Sequence, residues 1–217
     1  MKFIALVTIK LTIIQLFTLD NMSYRKEKKF RLNKSELQLL KFALLEKGME
    51  LLYPKRIIKS CYFDTKNLLM FHQSEEGILP RKKIRFRWYD KDIKVNKEIK
   101  ISSIEGRYKK TYSIGSINLS KINQYNSYDK DYGAIYPCLY IKYFREYYIY
   151  KKLRFTFDSN IEYVNLNSNI NLKSIENDCV MEIKASNTIN DDYLEKIISK
   201  QTERFSKYCR GVKSFLF

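Results

Sequence analysis

With 217 residues, 45% of them apolar, the chain has enough sequence to bury one domain core and little to spare for a second. It carries 41 Lys and Arg against 24 Asp and Glu, a formal charge of +17, and an excess of that size repels itself in a compact fold unless an anionic partner uses it. Cys61, Cys138, Cys179 and Cys209 are scattered with no C-x-x-C pair and His72 is the only histidine, which argues against a zinc cluster, a disulfide framework, catalytic triads and histidine acid–base chemistry, and reads as a cytoplasmic protein with reduced core thiols.

Residues 1–22 form an apolar leader broken by Lys10, with no small-residue cleavage site. It reads as sequence upstream of a true start at Met22, as an added strand or helix, or as a membrane-proximal anchor. From residue 23 to 217 no linker or repeat divides the chain, which predicts one domain. A strand is expected over 24–32. A helix follows over 33–47, with Asn33 as its cap, Glu36 completing a capping box, a stripe of Leu37, Leu40, Leu44 and Leu45, and Gly48 as its stop. Strands are expected near 56–64, 82–90, 94–102, 107–113, 138–150, 153–159 and 178–185, and a second helix near 190–206. Eight strands with short connections and two helices predict an α+β fold, a closed antiparallel eight-stranded β-barrel with flanking helices.

In a strand, alternate residues share a face. Arg25, Glu27 and Lys29 therefore line up, as do Lys83, Arg85 and Arg87 opposite Ile84, Phe86 and Trp88. Glu98 alternates with Ile99 and Lys100 with Ile101; Arg145 sits between Phe144 and Glu146; Arg154, Thr156 and Asp158 alternate with Leu153, Phe155 and Phe157; Glu182 and Lys184 alternate with Met181 and Ile183. An ordinary half-buried sheet with its polar face to water gives the same alternation. The repeated Arg-x-Arg and Glu-x-Lys steps favour the other reading, in which the charged faces line the interior. Such an interior needs a polyanion to offset it, arginine forks to grip phosphate, and glutamate oxygens of the kind that hold Mg²⁺ or Mn²⁺.

The motifs together resemble the VTC (vacuolar transporter chaperone) domain of the triphosphate-tunnel superfamily. In order they are Tyr24–Phe30 before a Leu-rich helix, Ser60–Thr65, Lys83–Tyr89, Glu98–Lys100 leading into Gly106–Lys110, Tyr143–Glu146, Arg154–Asp158, Val180–Lys184 and Ser206–Tyr208. The resemblance implies a tunnel that transfers the γ-phosphate of ATP onto a growing polyphosphate chain. It implies phosphate ligands at Lys29, Arg85, Arg87, Lys100, Arg145 and Lys207, with Ser206 beside the last. Glu182 would bind Mn²⁺ or Mg²⁺, with Glu27 and Glu98 as secondary acidic groups. Arg25, Lys83, Arg154 and Lys184 are further substrate-binding candidates. Lys109 and Lys110 compete for one more basic position, because strand phase is not fixed across the turn at Gly106.

The implied partners are ATP and polyphosphate, with no specific nucleic acid; a membrane-associated partner and the oligomeric state are left open. Two other functions fit the same ligands: a tunnel triphosphatase with water as acceptor, and a polyanion-binding module without turnover. Nucleic-acid binding through an exposed basic surface lacks a recognisable motif.

Overall fold

The computed structural model describes residues 25–216 apart from 90–93, 169–171 and 187. The leader over residues 1–22 lies outside the described residues, as does the side chain of Arg25. The elements run β1 (Arg25–Leu32), α1 (Lys34–Glu46), β2 (Glu50–Asp64), α2 (Leu69–Glu76), β3 (Arg81–Tyr89), β4 (Asn96–Ser103), β5 (Gly106–Ser113), a 3₁₀ segment (Leu119–Gln124), β6 (Ser127–Asp129), β7 (Gly133–Tyr150), β8 (Leu153–Asn165), β9 (Lys173–Ile175), β10 (Cys179–Ser186), α3 (Asp191–Ile197) and α4 (Lys207–Lys213).

The main sheet has the order β1-β10-β8-β7-β2-β3-β4-β5, with β6 added to β7 and β9 to β8, and every pairing is antiparallel. Its end strands, β1 and β5, do not pair with each other. The expected closed barrel is therefore a curled half-barrel, open along one side. The chemistry of the two edges accounts for this. Most of β5 is exposed, so it offers no apolar row to seal against β1. Closure would also press together Lys29 and Arg107, which already repel each other across the gap.

The apolar face of the sheet is covered, so the charged face is the interior one. Phe30, Leu32, Phe155, Phe157, Met181 and Ile183 pack with Leu37 and Leu44 of α1 and Leu194 of α3. Phe63, Ile84, Phe86 and Trp88 pack with Met70 of α2 and with Ile122 and Ile135. The capping box forms at the start of α1: Asn33 Oδ1 accepts from the Glu36 N–H and Glu36 Oε2 accepts from the Asn33 N–H, both at 2.8 Å. The expected leucine stripe is narrower than predicted, because Leu45 is 40% exposed. All four cysteines are buried free thiols. No helix of the described residues is long and apolar enough to cross a membrane.

Two bulges set which side chains face inward. Between β7 and β8 the pairing steps from Lys142–Glu162 to Phe144–Ser159, and the extra residue includes Asn160 at φ 49°. The shift keeps Asp158 and Tyr163 on one face although they are five positions apart, an odd step that would put them on opposite faces of a regular strand. In β2 the pairing steps from Tyr53–Tyr147 to Arg56–Arg145, which brings Tyr53 and Arg56 to the same face.

The helix expected over 190–206 is shorter than predicted. It spans Asp191–Ile197, capped by Asn190, and the chain then leaves the helix. Tertiary hydrogen bonds replace the helical ladder: the Glu203 N–H donates to Lys29 O at 2.9 Å, and Lys29 Nζ donates to Phe205 O at 3.0 Å. A separate helix, α4, starts at the Ser206 cap and fills one end of the trough, with Phe205, Tyr208, Cys209 and Val212 packed on Leu139, Ile141 and Tyr163. The fit is close at Gly211, where a Cβ would lie 2.6 Å from Tyr163 Cδ1 and 2.7 Å from Leu139 Cδ2. Gly211→Ala, a change that ordinarily stabilises a helix, is expected here to cost about 1–3 kcal/mol through overpacking. A urea titration checks the sign, and a variant as stable as the wild type would show that α4 is not held against the sheet.

Candidate active site

Residues paired across an antiparallel ladder share a face, and the registers place the polar rows of eight strands on the inner face. One row is Lys29–Glu182–Thr156–Tyr147, and the next is Val180–Asp158–Arg145–Arg56. On the opposite wall run Ser60–Arg87–Asn96, Tyr62–Arg85–Glu98–Thr111 and Lys83–Lys100–Lys109. Glu27, Lys184 and Arg154 form the row at the far end from α4.

At the centre, Asp158 is fully buried and holds two cations. Its Oδ1 accepts from Arg145 Nε at 2.5 Å, and its Oδ2 accepts from Arg145 Nη2 at 2.7 Å and from Lys207 Nζ at 2.5 Å. Burial would raise its carboxyl pKa, but Arg145 and then Lys207 outweigh burial and hold it below the ordinary value. On the facing wall, Glu98 accepts from Arg85 Nε at 2.8 Å and Nη2 at 2.5 Å, and from Lys109 Nζ at 3.1 Å. Burial opposes its ionisation, and Arg85 and Arg87 overcome that, so its carboxyl lies far below the usual range. Arg85 also donates to Tyr62 Oη at 2.6 Å, and Arg87 donates to Ser60 Oγ at 3.2 Å and Tyr143 Oη at 3.1 Å. These partners fix both guanidinium planes before any ligand arrives.

Glu27 and Glu182 stand diagonally across β1 and β10. Lys184 Nζ lies between them, 3.2 Å from Glu27 Oε1 and 3.0 Å from Glu182 Oε1. Burial opposes ionisation of Glu182, but Lys184, Lys29 and Arg145 hold it well below the usual carboxylate range. Among the described residues no three His, Cys, Asp or Glu side chains come together as a ready-made metal cage.

Several cations lack a carboxylate of their own. Lys83 Nζ donates to Ser206 Oγ at 2.8 Å, and Lys100 and Arg107 form no hydrogen bond or ion pair among the described residues. Lys100 meets water inside the trough, yet burial first and the Arg85 charge next hold its ammonium well below its ordinary value. Burial likewise lowers Lys29, with Lys207 adding to the effect, and lowers Lys83. Arg154 Nε and Thr156 Oγ1 are buried with no hydrogen-bond partner among the described residues. Buried donors and crowded cations of this kind mark a face completed by an anion.

The lysine shifts have a signed consequence. Between their lowered folded values and the ordinary 10.5, the unfolded chain binds more protons than the folded one, so their contribution to stability rises with pH. Tripolyphosphate in the trough would restore the protons and reduce that slope. Urea titrations at successive pH values on the alkaline side, below the ordinary 10.5, with and without tripolyphosphate, are expected to show the smaller slope with ligand. Equal slopes would remove these lysines from the ligand's field.

Of the residues singled out from the sequence, Lys29, Lys83, Arg85, Arg87, Lys100, Arg145, Arg154, Lys184, Ser206, Lys207, Glu27, Glu98 and Glu182 lie on this inner surface or at its α4 end. The register Lys100–Lys109 settles the strand phase: Lys109 faces inward. Lys110 lies on the outer face of β5 among Ile99, Ile101, Tyr108 and Tyr112. Arg25 is placed by its backbone alone, opposite Ser186. Sequence reasoning missed Asp158 as the central counter-charge, Arg56 and Arg107 as inner cations, and Tyr62 and Tyr143 as the hydroxyls that orient Arg85 and Arg87. Asp158 was visible in the alternation, and Arg107 shares its phase with Lys109.

A curled antiparallel sheet with a charged, mostly basic inner face is the fold of the triphosphate-tunnel proteins. The chain is similar to a Pyrococcus horikoshii OT3 protein (13% identity, TM-score 0.55, covering 87% of this chain and 99% of that one). It is also similar to a Hippeastrum adenylyl-cyclase-like protein whose structure is described as revealing a dominant triphosphatase activity (13% identity, TM-score 0.55, covering 88% and 96%). A Vibrio parahaemolyticus protein named for adenylate cyclase is a further likeness (12% identity, TM-score 0.52, covering 88% and 98%). No curated protein matches the sequence. The chain belongs to the VTC domain family, whose model matches residues 24–216.

Proposed function

We propose that this protein is an ATP-dependent polyphosphate polymerase, transferring the γ-phosphate of ATP onto the end of a growing polyphosphate chain within the basic trough. The observation that carries the reading is the unneutralised inner face of a VTC domain. Lys29, Lys83 and Lys100 are held below their ordinary proton affinity, beside arginines whose planes are already fixed. In phosphoryl transfer, positioning and charge neutralisation do most of the work. Arg145 and Arg87, on facing walls, would grip the transferred group and offset its developing charge. Lys29, Lys83, Lys100 and Lys109 would hold the chain. A terminal phosphate has a second pKa near ~6 and is already an anionic nucleophile at neutral pH, so no histidine base is required.

The donor set fits a divalent cation of the Mg²⁺ or Mn²⁺ kind. Glu27 and Glu182 present hard oxygens on one face and already share a single positive charge, that of Lys184. One or two carboxylates plus substrate phosphates are the usual environment of Mg²⁺. Glu98 fits less well, since both its oxygens are committed to Arg85 and Lys109. When bound, the metal would neutralise phosphate oxygens. The buried free thiols and the ATP requirement support a cytoplasmic site of action.

Incubating the full-length protein with ATP and Mn²⁺, with and without a short polyphosphate primer, tests the proposal. A ladder of long chains on a gel stained for polyphosphate is the expected result. Orthophosphate alone would transfer the assignment to a triphosphatase, the activity described for the Hippeastrum neighbour. Tight polyphosphate binding without either product would make the protein a polyanion-binding module.

A further inference from the structure

One end of the trough carries a feature that phosphate binding does not use. Arg56 lies with its guanidinium carbon 5.7 Å from the Tyr53 ring centroid, 5.6 Å from Tyr89 and 5.7 Å from Tyr147. Tyr53 and Tyr147 meet edge to face with centroids 5.8 Å apart. The grouping depends on the β2 bulge, which returns Tyr53 to the inner face beside Arg56. It stands at the end away from α4, and it is open: Arg56 is exposed and Tyr53 is 47% exposed.

We propose that Arg56, Tyr53, Tyr89 and Tyr147 form a stacking platform for the nucleobase of a nucleoside triphosphate; this rests on the phosphoryl-transfer reading above. The spacing supports it. Tyr147 and Tyr89 each follow a central arginine, Arg145 and Arg87, by two residues on the same strand face, a step of about 7 Å. A nucleotide whose phosphates lie against those arginines therefore extends its sugar and base toward the rings. Tyrosine faces and an arginine plane are the surfaces on which bases stack. An inorganic phosphate chain has no use for aromatic rings. Stacking reads the presence of a π-face rather than its edge, so ATP and GTP should be bound alike while tripolyphosphate ignores the platform.

The test compares ATP, GTP and tripolyphosphate binding to the full-length protein by calorimetry, in wild type, Arg56→Gln and the Tyr89→Leu/Tyr147→Leu double variant. The expected result is a loss of about tenfold or more for both nucleotides in the double variant, which keeps every cation of the trough and so leaves tripolyphosphate affinity unchanged; Arg56→Gln, which also removes a charge, should weaken the nucleotides more than it weakens tripolyphosphate. Unchanged tripolyphosphate binding also shows that the trough is folded. If the double variant fails to fold, Arg56→Gln carries the test, since its side chain is exposed. A 2-aminopurine nucleoside triphosphate should show fluorescence quenching in wild type that the variants lose. Nucleotides and tripolyphosphate losing affinity equally, or neither losing any, would overturn the platform and leave the tunnel reading intact. A wild type that binds neither would overturn the tunnel reading and the platform with it.

Discussion

Asp158→Ala is expected to lower the free energy of unfolding by about 3–5 kcal/mol, the range for breaking a buried ion pair from one side. Asp158 is wholly buried, and both its oxygens are engaged by Arg145 and Lys207. Removing it leaves two cations facing each other on a surface that already holds Lys29 and Lys100. Asp158→Asn keeps the shape and one acceptor but not the charge, so its loss should be intermediate. Added tripolyphosphate should recover more stability in either variant than in the wild type, because a bound anion replaces the missing charge. The pH dependence has a definite sign. The folded pKa is depressed below the ordinary 3.8, so this contribution is present above that value and is lost as pH falls through the folded one. Urea titrations of the three proteins decide the matter. A loss in Asp158→Ala below about 1 kcal/mol, the worth of an exposed pair, would mean that Asp158 does not bear this charge.

The strands were legible because their side-chain period is two and their inner rows carry charge. Arg85 and Arg87 declare their face against Ile84, Phe86 and Trp88 whatever the rest of the chain does. Closure was not legible, because a curled open sheet and a barrel share the same alternation. What separates them is whether β1 and β5 can tolerate each other, and that rests on residues distant in sequence. Helix α2 escaped prediction because its first N–H groups are capped from further upstream than the N-cap position, with Thr65 Oγ1 accepting from the Leu69 N–H at 3.0 Å. Leu68 sits at φ 54° with no capping side chain, and Asp64 at the end of β2 accepts from the N–H groups of Met70 and Phe71, both at 2.9 Å. The end of α3 at Ile197 was equally hidden, because it depends on hydrogen bonds to Lys29 on β1. Phase is recoverable from sequence only where nothing interrupts the period. Gly106 left Lys109 and Lys110 tied, and the bulge at Tyr53–Arg56 concealed that both face inward. Most of the charged residues of the trough were therefore readable, whereas Arg56 and the tyrosines that orient Arg85 and Arg87 needed the register.

The largest effect on activity is expected at Glu182. Glu182→Gln should reduce polymer formation in Mn²⁺ by at least about a hundredfold, the scale of losing a preorganised electrostatic group, with little change in fold. The side chain keeps its size, and Lys184 retains its ion pair with Glu27 at 3.2 Å. Loss of activity alone would not separate a metal ligand from a residue that merely shapes the trough. The sign of a second measurement does. Without metal, Glu182 is a negative charge beside Lys29, Lys184 and Arg145, and it opposes any phosphate that approaches them. Tripolyphosphate in the presence of EDTA should therefore bind the Gln variant more tightly than the wild type, while Mn²⁺ should strengthen binding less in the variant. Glu27→Gln should show the same two signs with smaller size, since Glu27 lies at the rim of the pair, whereas Glu98→Gln should weaken metal-free binding by freeing Arg85 from its aligned position. Metal-free binding that weakens in Glu182→Gln would recast Glu182 as a structural partner of Lys184, and full activity in that variant would remove it from the metal role.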